Sequence, residues 1–350
     1  MTVTDAPVVA APIRPTRSVS TAGLSGIGVV AVLAGTGLAA VLGKGGVATP
    51  LVLSALAYLV LAPAAVFVVQ GRRAAVDRLF TTFAWGSFLT ALVPLISVVA
   101  LVVKNGAARF DANFLTHSMR GVGPRDVNGG AYHAIIGTLE QVGIASLIAI
   151  PIGLLAAVYV VEHGTGPLVG AVRFVTDVMT GVPSIVAGLF IFSFWVIALG
   201  QGFSGFAASL ALGILMLPTV VRTTEVVLVL VPDTLREASL ALGVPRWKTV
   251  VKVVLPTAAS GITTGVVLAI ARITGETAPL LLTALNYDSI NTNPFAGQQA
   301  GLPSYVFAQA GQPQQTAVDR AWAGALTLLL LVLLLNLAAR LVARRTRLKG

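Results

Sequence analysis

No cysteine occurs in the 350 residues, which excludes thiol and disulfide chemistry and leaves the redox compartment unread. Histidine is almost as scarce, with three residues in the whole chain. His117 and His133 have no second His or Cys at metal-ligand spacing, so they read as loop or helix-end residues and no metal site is expected. The 13 acidic residues are too scattered to build a nucleophile or metal constellation, which argues against a polytopic enzyme. No G-x-x-x-x-G-K-[ST] segment is present to cradle phosphates, so no nucleotide site is expected either. Charge of both signs is sparse: 10% of residues are charged and 56% hydrophobic, too little polar surface to cover a soluble globule.

What the chain does have is long apolar runs, so it reads as an all-α polytopic membrane protein. Runs lie at about 24–42, 51–69, 83–103, 135–161, 185–199, 207–231, 258–285 and 321–342, which makes about eight spans near the ~20 residues needed to cross a bilayer. Residues 1–22 are rich in Pro, Thr and Ala and read as a disordered tail. The first run is long for a signal peptide and is taken as a retained span, although Arg14 and Arg17 flank it as a signal's basic region would. The net charge of +10 sits in short segments between apolar runs, where it sets orientation. Arg14 and Arg17, then Arg72, Arg73 and Arg78, then Arg246 to Lys252, and finally Arg344 to Lys349 all fall on one side, which places both termini in the cytoplasm.

Two longer loops, about 104–132 and 286–320, then lie outside. Loops of that length carry function or disorder. They are read either as a docking surface for an external binding protein, with the apolar patch Leu302–Phe307 in the second, or as spacers. Pro63, Pro94, Pro151 and Pro218 interrupt apolar runs and can kink their helices. Gly261 and Gly265 form a GxxxG pair that permits close helix approach.

The stretch from Glu237 to Thr283 organises the rest. After Glu237, good helix formers run to Gly243, which stops them as a C-cap would. Pro245 fits the first turn of a second helix, with Trp247, Val250, Val251 and Val254 on one side and Arg246, Lys248 and Lys252 elsewhere, until Leu255-Pro256 ends it. Arg272 follows Pro256 by 16 positions, about 24 Å along a helix, and is therefore deep in the bilayer. Glu276 is expected one turn further on the same face. Charges at that depth face protein or a watery path. They are read as a buried ion pair or as anion contacts, with Arg272 offering paired hydrogen bonds and a permanent charge. Gly181-Val182-Pro183-Ser184 opens a helix and serves either as a cap or as an anion-facing terminus, the cap being preferred. Arg222 and Glu225, three apart, are read as an interfacial pair.

Several segments resemble a known family. The order Glu237-Ala238-Ser239, three residues, Gly243, nine residues, Val253, one residue, Leu255-Pro256 is similar to the EAA coupling loop of ABC-importer permeases, with Ser239 for Ala and Val253 for Ile. Gly275-Glu276-Thr277-Ala278-Pro279-Leu280 resembles the GETAPL segment of PstA-type phosphate permeases. Further matches are Gly181 to Val186, Leu217 to Glu225 and Gly137-Thr138-Leu139. The resemblance implies a type I ABC-importer (MetI-like) permease core at 81–343, with the transmembrane type-1 domain about 131–340 and the coupling loop 232–256. Two extra N-terminal spans at 23–80 precede it, and a basic cytoplasmic tail at 344–350 follows.

By the same resemblance the chain is a non-enzymatic permease subunit of an ATP-driven, high-affinity inorganic phosphate importer in a bacterial plasma membrane. The implied partners are a second permease of the PstC type, an ATPase dimer of the PstB type that binds ATP and Mg, and an external phosphate-binding protein of the PstS type. Arg272, Glu276 and Thr277 would line the substrate path; Glu237, Ala238, Ser239, Gly243, Leu255 and Pro256 would couple to the ATPase. A permease for another oxyanion is the alternative, followed by a secondary transporter, for which no internal repeat of the Glu237–Pro256 pattern is seen.

Overall fold

The computed structural model describes residues 19–43, 46 and 48–347; the first 18 residues of the expected N-terminal tail and the last three of the basic C-terminal tail lie outside the described residues. Seven of the described helices are long and apolar enough to cross a membrane, and a bent helix pair raises the number to eight. The chain divides into two compact units, Met1–Val99 and Ala100–Gly350.

In the first unit, α1 (Thr21–Val41) begins where Ser20 caps it, its hydroxyl accepting the Gly23 N–H at 3.1 Å. It packs on α2 (Ala48–Gln70), which runs through Pro63. Arg78, in the first part of α3 (Arg72–Gly106), donates to the Tyr58 hydroxyl at 3.1 Å.

The second unit is a bundle built on α5 (Tyr132–His163), α8 (Gly205–Val229) and α11 (Leu255–Thr274). Its core is made largely of small and aliphatic side chains, among them Ala145 and Ala149 of α5, Ala208, Leu212 and Met216 of α8, and Ala269 and Ile273 of α11. Lipid tails are as apolar as these residues, so close backbone approach and shape fit hold the helices together. The glycine pair of α11 illustrates this: a Cβ on Gly261 would lie 2.5 Å from Val227 and one on Gly265 2.4 Å from Thr223, so α11 rides directly on α8.

Three expected elements differ in the structure. The span at 185–199 is the second arm of a bent pair, α6 (Pro167–Thr180) and α7 (Ser184–Ile191) with its π-helical continuation Phe192–Ala198, meeting at 107°. The corner is Gly181-Val182-Pro183, where Pro183 biases the preceding residue out of the helical region. No side chain caps α7. The second change is that the helix does not stop at Pro256. The short helix α10 (Arg246–Thr249) continues through a π turn, Val250–Val254, into α11. The Leu255 N–H reaches back five residues to Val250, and this wider turn lets the chain carry a proline without a break. Lastly, the run 258–285 is not one helix. It ends at Thr274 and resumes as α12 (Ala278–Thr283), because the ring of Pro279 would strike the Gly275 carbonyl if the helix continued.

Outside the spans, the loops are compact. The first holds α4 (Ala112–Thr116), capped by Asp111, whose carboxylate accepts the Phe114 N–H at 2.7 Å and is held below its ordinary pKa mainly by that bond. The second contains α13 (Leu302–Ala310), followed by α14 (Gln315–Arg347). The apolar patch expected there as a docking surface mostly faces inward: Leu302, Pro303, Ser304 and Tyr305 are buried, and only Phe307 is well exposed. Burial also raises the Tyr305 phenol above its ordinary pKa.

Arg320 of α14 is 1% exposed, and no carboxylate among the described residues pairs with it. Its guanidinium instead donates to the backbone carbonyls of Asp126 (2.5 Å), Asn128, Gly123 and Pro124 and to Gln309 Oε1. Replacing Arg320 by Met strands these acceptors at a cost of about 3 kcal/mol or more. Trypsin cleavage after the exposed Arg120 and Arg125, followed by fragment mass, is expected to accelerate by roughly ten-fold or more, since about 1.4 kcal/mol suffices for a ten-fold rise in the open population.

Candidate functional site

A cavity of about 110 Å³ opens between the α6–α7 corner, α8 and α11. Arg222, Arg272, Thr180, Thr219 and Thr223 supply its polar lining, and Pro218 and Val182 part of the apolar wall. Its two arginines are held differently. Arg222 belongs to a brace between α6 and α8: it pairs with Asp177 of α6 and, at 2.9 Å, with Glu225, which also takes a bond from Arg173 of α6 at 3.1 Å. Arg272, in the last turn of α11, forms no ion pair with any described residue and donates to Thr219 Oγ1 at 3.3 Å. One guanidinium is committed to the scaffold, while the other faces the cavity with most of its donors uncommitted.

The three expected path residues are not gathered in one place. Because α11 ends at Thr274, Glu276 is not on the helical face of Arg272 and no ion pair joins them. Glu276 is half-buried in the break between α11 and α12. Thr277 lines a second, mainly apolar cavity of about 410 Å³ with Gly275, Pro303 and Val306 and residues of α14. The second cavity lies at the break between α11 and α12, and the first meets α11 just before it, at Arg272.

The coupling-loop candidate is a helical hairpin. Its first helix, α9 (Asp233–Ala241), ends in a complete Schellman turn: Gly243 at φ +77° donates to Leu240 at 2.9 Å, and Val244 donates to Ser239 at 3.2 Å. Pro245 then opens α10. Ser239, which stands where the family pattern has alanine, is buried and shares a 2.9 Å hydrogen bond with Thr249, tying the two helices together. Glu237, Ala238, Leu242 and Trp247 are left exposed, as is Pro256 further on, while Leu255 is half-buried. The expected apolar side divides: Trp247 and Val251 face out, Val250 is half-buried and Val254 is buried.

Sequence reasoning missed Asp177 and Thr219, which touch the arginines of the cavity, and Arg173, which holds Glu225 of the Arg222 brace. For Asp177 and Arg173 the signal was an amphipathic helical pattern, apolar on one side at Phe174 and Val178, in a segment of 14 residues that is too short to register as a span.

Residues 149–348 match the family model described as binding-protein-dependent transport system inner membrane component. The chain is 48% identical over 280 residues to the phosphate transport system permease protein PstA 1 of Mycobacterium tuberculosis, covering 79% of this chain and 92% of that protein. It is 38% identical over 268 residues to the phosphate transport system permease protein PstA of Pasteurella multocida, covering 76% of this chain and 93% of that protein. Among solved structures it resembles a bacterial ABC transporter involved in import of the acidic polysaccharide alginate. There the TM-score is 0.50 at 14% identity, over 78% of this chain and 99% of that one, a likeness of fold.

Proposed function

This chain belongs to the family of binding-protein-dependent transport system inner membrane components, among its PstA phosphate permeases, and from that premise we propose that it moves inorganic phosphate across the bacterial inner membrane as one permease of an ATP-driven importer. The observation that carries the reading is Arg272, an arginine without an ion pair among the described residues, lining a cavity of about 110 Å³. That volume lies well below the ~300–1,000 Å³ of sites for drug-sized ligands and suits a small polyatomic anion. A guanidinium matches phosphate oxygens with paired donors and a permanent charge. Thr219 adds a hydroxyl that can donate, and Thr223, whose own proton goes to backbone carbonyls of α8, adds an oxygen that can accept, which fits an anion that still carries a proton. Glu276 and Thr277 line the path at the break above Arg272, where the backbone leaves helical geometry beside a cavity.

The second permease is of the PstC type, the ATPase dimer of the PstB type and the external phosphate-binding protein of the PstS type. ATP and Mg are held by the ATPase and none by this chain. The hairpin of Glu237, Ala238, Ser239 and Gly243 seats in the ATPase as a helix in a groove. Leu255 and Pro256 link that hairpin to α11, so ATPase closure moves α11, and with it Arg272, as one helix. Arg72, Arg73, Arg78 and the Arg246–Lys252 cluster put the hairpin and both termini on the cytoplasmic side.

The test is uptake of labelled phosphate into membrane vesicles carrying the whole complex. ATP-dependent uptake that excess sulfate does not compete away, and that survives collapse of the ion gradient, is the expected result. Sulfate competing as well as unlabelled phosphate would assign another oxyanion; uptake that follows the ion gradient without ATP would remove the ABC assignment.

A further inference from the structure

Arg236, directly before Glu237, makes four side-chain hydrogen bonds to three different elements. Its Nε donates to Glu162 Oε1 at 3.2 Å, in the last turn of α5. One terminal nitrogen donates to the Val231 carbonyl at 2.7 Å and to Asp233 Oδ1 at 3.0 Å, and the other to the Leu228 carbonyl at 3.0 Å. Leu228 is in the last turn of α8 and Val231 lies just past its cap, Leu230. A guanidinium there adds a donor to each of these carbonyls and complements the negative end of the helix. The Arg236 and Glu162 side chains are 16% and 18% exposed, which sets this pair apart from a solvated surface contact.

The consequence is mechanical. The hairpin is joined covalently to α8 on one side and to α11 on the other, but among the described residues its only side-chain hydrogen bond to α5 runs through Arg236 and Glu162. α5 packs along α8 for much of its length. We propose that Arg236 is a positioning residue for transport, a strut that makes α5 move with the coupling hairpin, with Glu162 as its foothold. Thrust from the hairpin then reaches the α5–α8 pair as a body; without the foothold the hairpin can move while α5 lags.

This inference rests on the transport reading above, and the experiment separates the two. The complete complex, reconstituted in proteoliposomes with its binding protein, is assayed for labelled phosphate taken up and for ATP hydrolysed. Glu162→Gln removes the charge but keeps the shape of the foothold. Asp233→Asn likewise removes the charge of an 87% exposed carboxylate that bonds Arg236 but does not reach α5. For Glu162→Gln, phosphate moved per ATP is expected to fall roughly five-fold or more, the lower end of coupling between distant sites, at normal complex yield. Glu162→Asp, which keeps the charge on a shorter arm, restores part of the ratio, and Asp233→Asn leaves it within two-fold, about the scatter of an exposed pair. An unchanged ratio in Glu162→Gln overturns the strut. So does a fall of uptake, hydrolysis and assembled complex in equal proportion, because that is the behaviour of a contact needed only for folding. A wild-type complex that moves no phosphate overturns the transport reading, and the strut with it.

Discussion

Gly243→Pro is expected to abolish ATP-driven uptake while the permease still reaches the membrane. At φ +77° the residue sits in the left-handed region, and its N–H donates to Leu240 at 2.9 Å. Proline is locked near φ −65° and has no N–H, so it breaks both requirements at once, at a cost of about 3 kcal/mol or more. No atom lies within 4 Å of a Cβ at this position, so the damage comes from backbone conformation and not from crowding. That separates two variants. Gly243→Ala is strained by roughly 1–2 kcal/mol and is expected to weaken uptake partially, whereas Gly243→Asn, which tolerates the left-handed region, retains most of it. The measurement is initial uptake rate against ATP hydrolysis at equal membrane levels. A proline variant that transports normally would mean that this hairpin does not transmit ATPase closure.

The hairpin was legible because its signals are local: helix formers, a glycine stop and a proline start, all within some twenty residues. Most of the spans were legible for the same reason, since an apolar run near the length of a bilayer leaves few other readings. What escaped was set by proline chemistry or by distant backbone. Gly275 to Leu280 was read as a family signature when Pro279 also ends a helix five residues earlier, and that separates Glu276 from the face of Arg272. The opposite error occurred at Pro256, where a π turn carries the helix past a residue that reads as a stop. Asp177 escaped because α6 is too short and too amphipathic to count as a span, yet it lies along the bundle and supplies half of the Arg222 brace. The partners of Arg320 include the Asp126 carbonyl, 194 positions away, and a backbone carbonyl leaves no mark in the sequence.

Arg272→Lys is expected to lower phosphate uptake at least ten-fold at unchanged complex yield and binding-protein docking. Lysine preserves the charge, so a purely long-range attraction would survive the exchange. What it removes is the planar fork, and a charged hydrogen bond lost from an anion contact is worth about 1.5–3 kcal/mol, or ten-fold and upward in rate. Arg272→Gln, which removes the charge as well, is expected to fall further. A scaffold role makes the opposite forecast. If Arg272 mainly neutralised a buried carboxylate, either variant would leave that carboxylate unpaired and reduce the amount of folded complex. Arg272 has no carboxylate partner among the described residues, whereas Arg222, across the same cavity, has two. Arg222→Lys therefore serves as the contrast: it loosens the α6–α8 brace and lowers uptake and complex yield together. Thr219→Val, which removes the only side-chain hydrogen bond of Arg272 among the described residues, is expected to raise the phosphate concentration needed for half-maximal uptake with little effect on yield. Near-normal uptake by Arg272→Lys would place the anion contact elsewhere, with Glu276, Thr277 and the second cavity as the next residues to test.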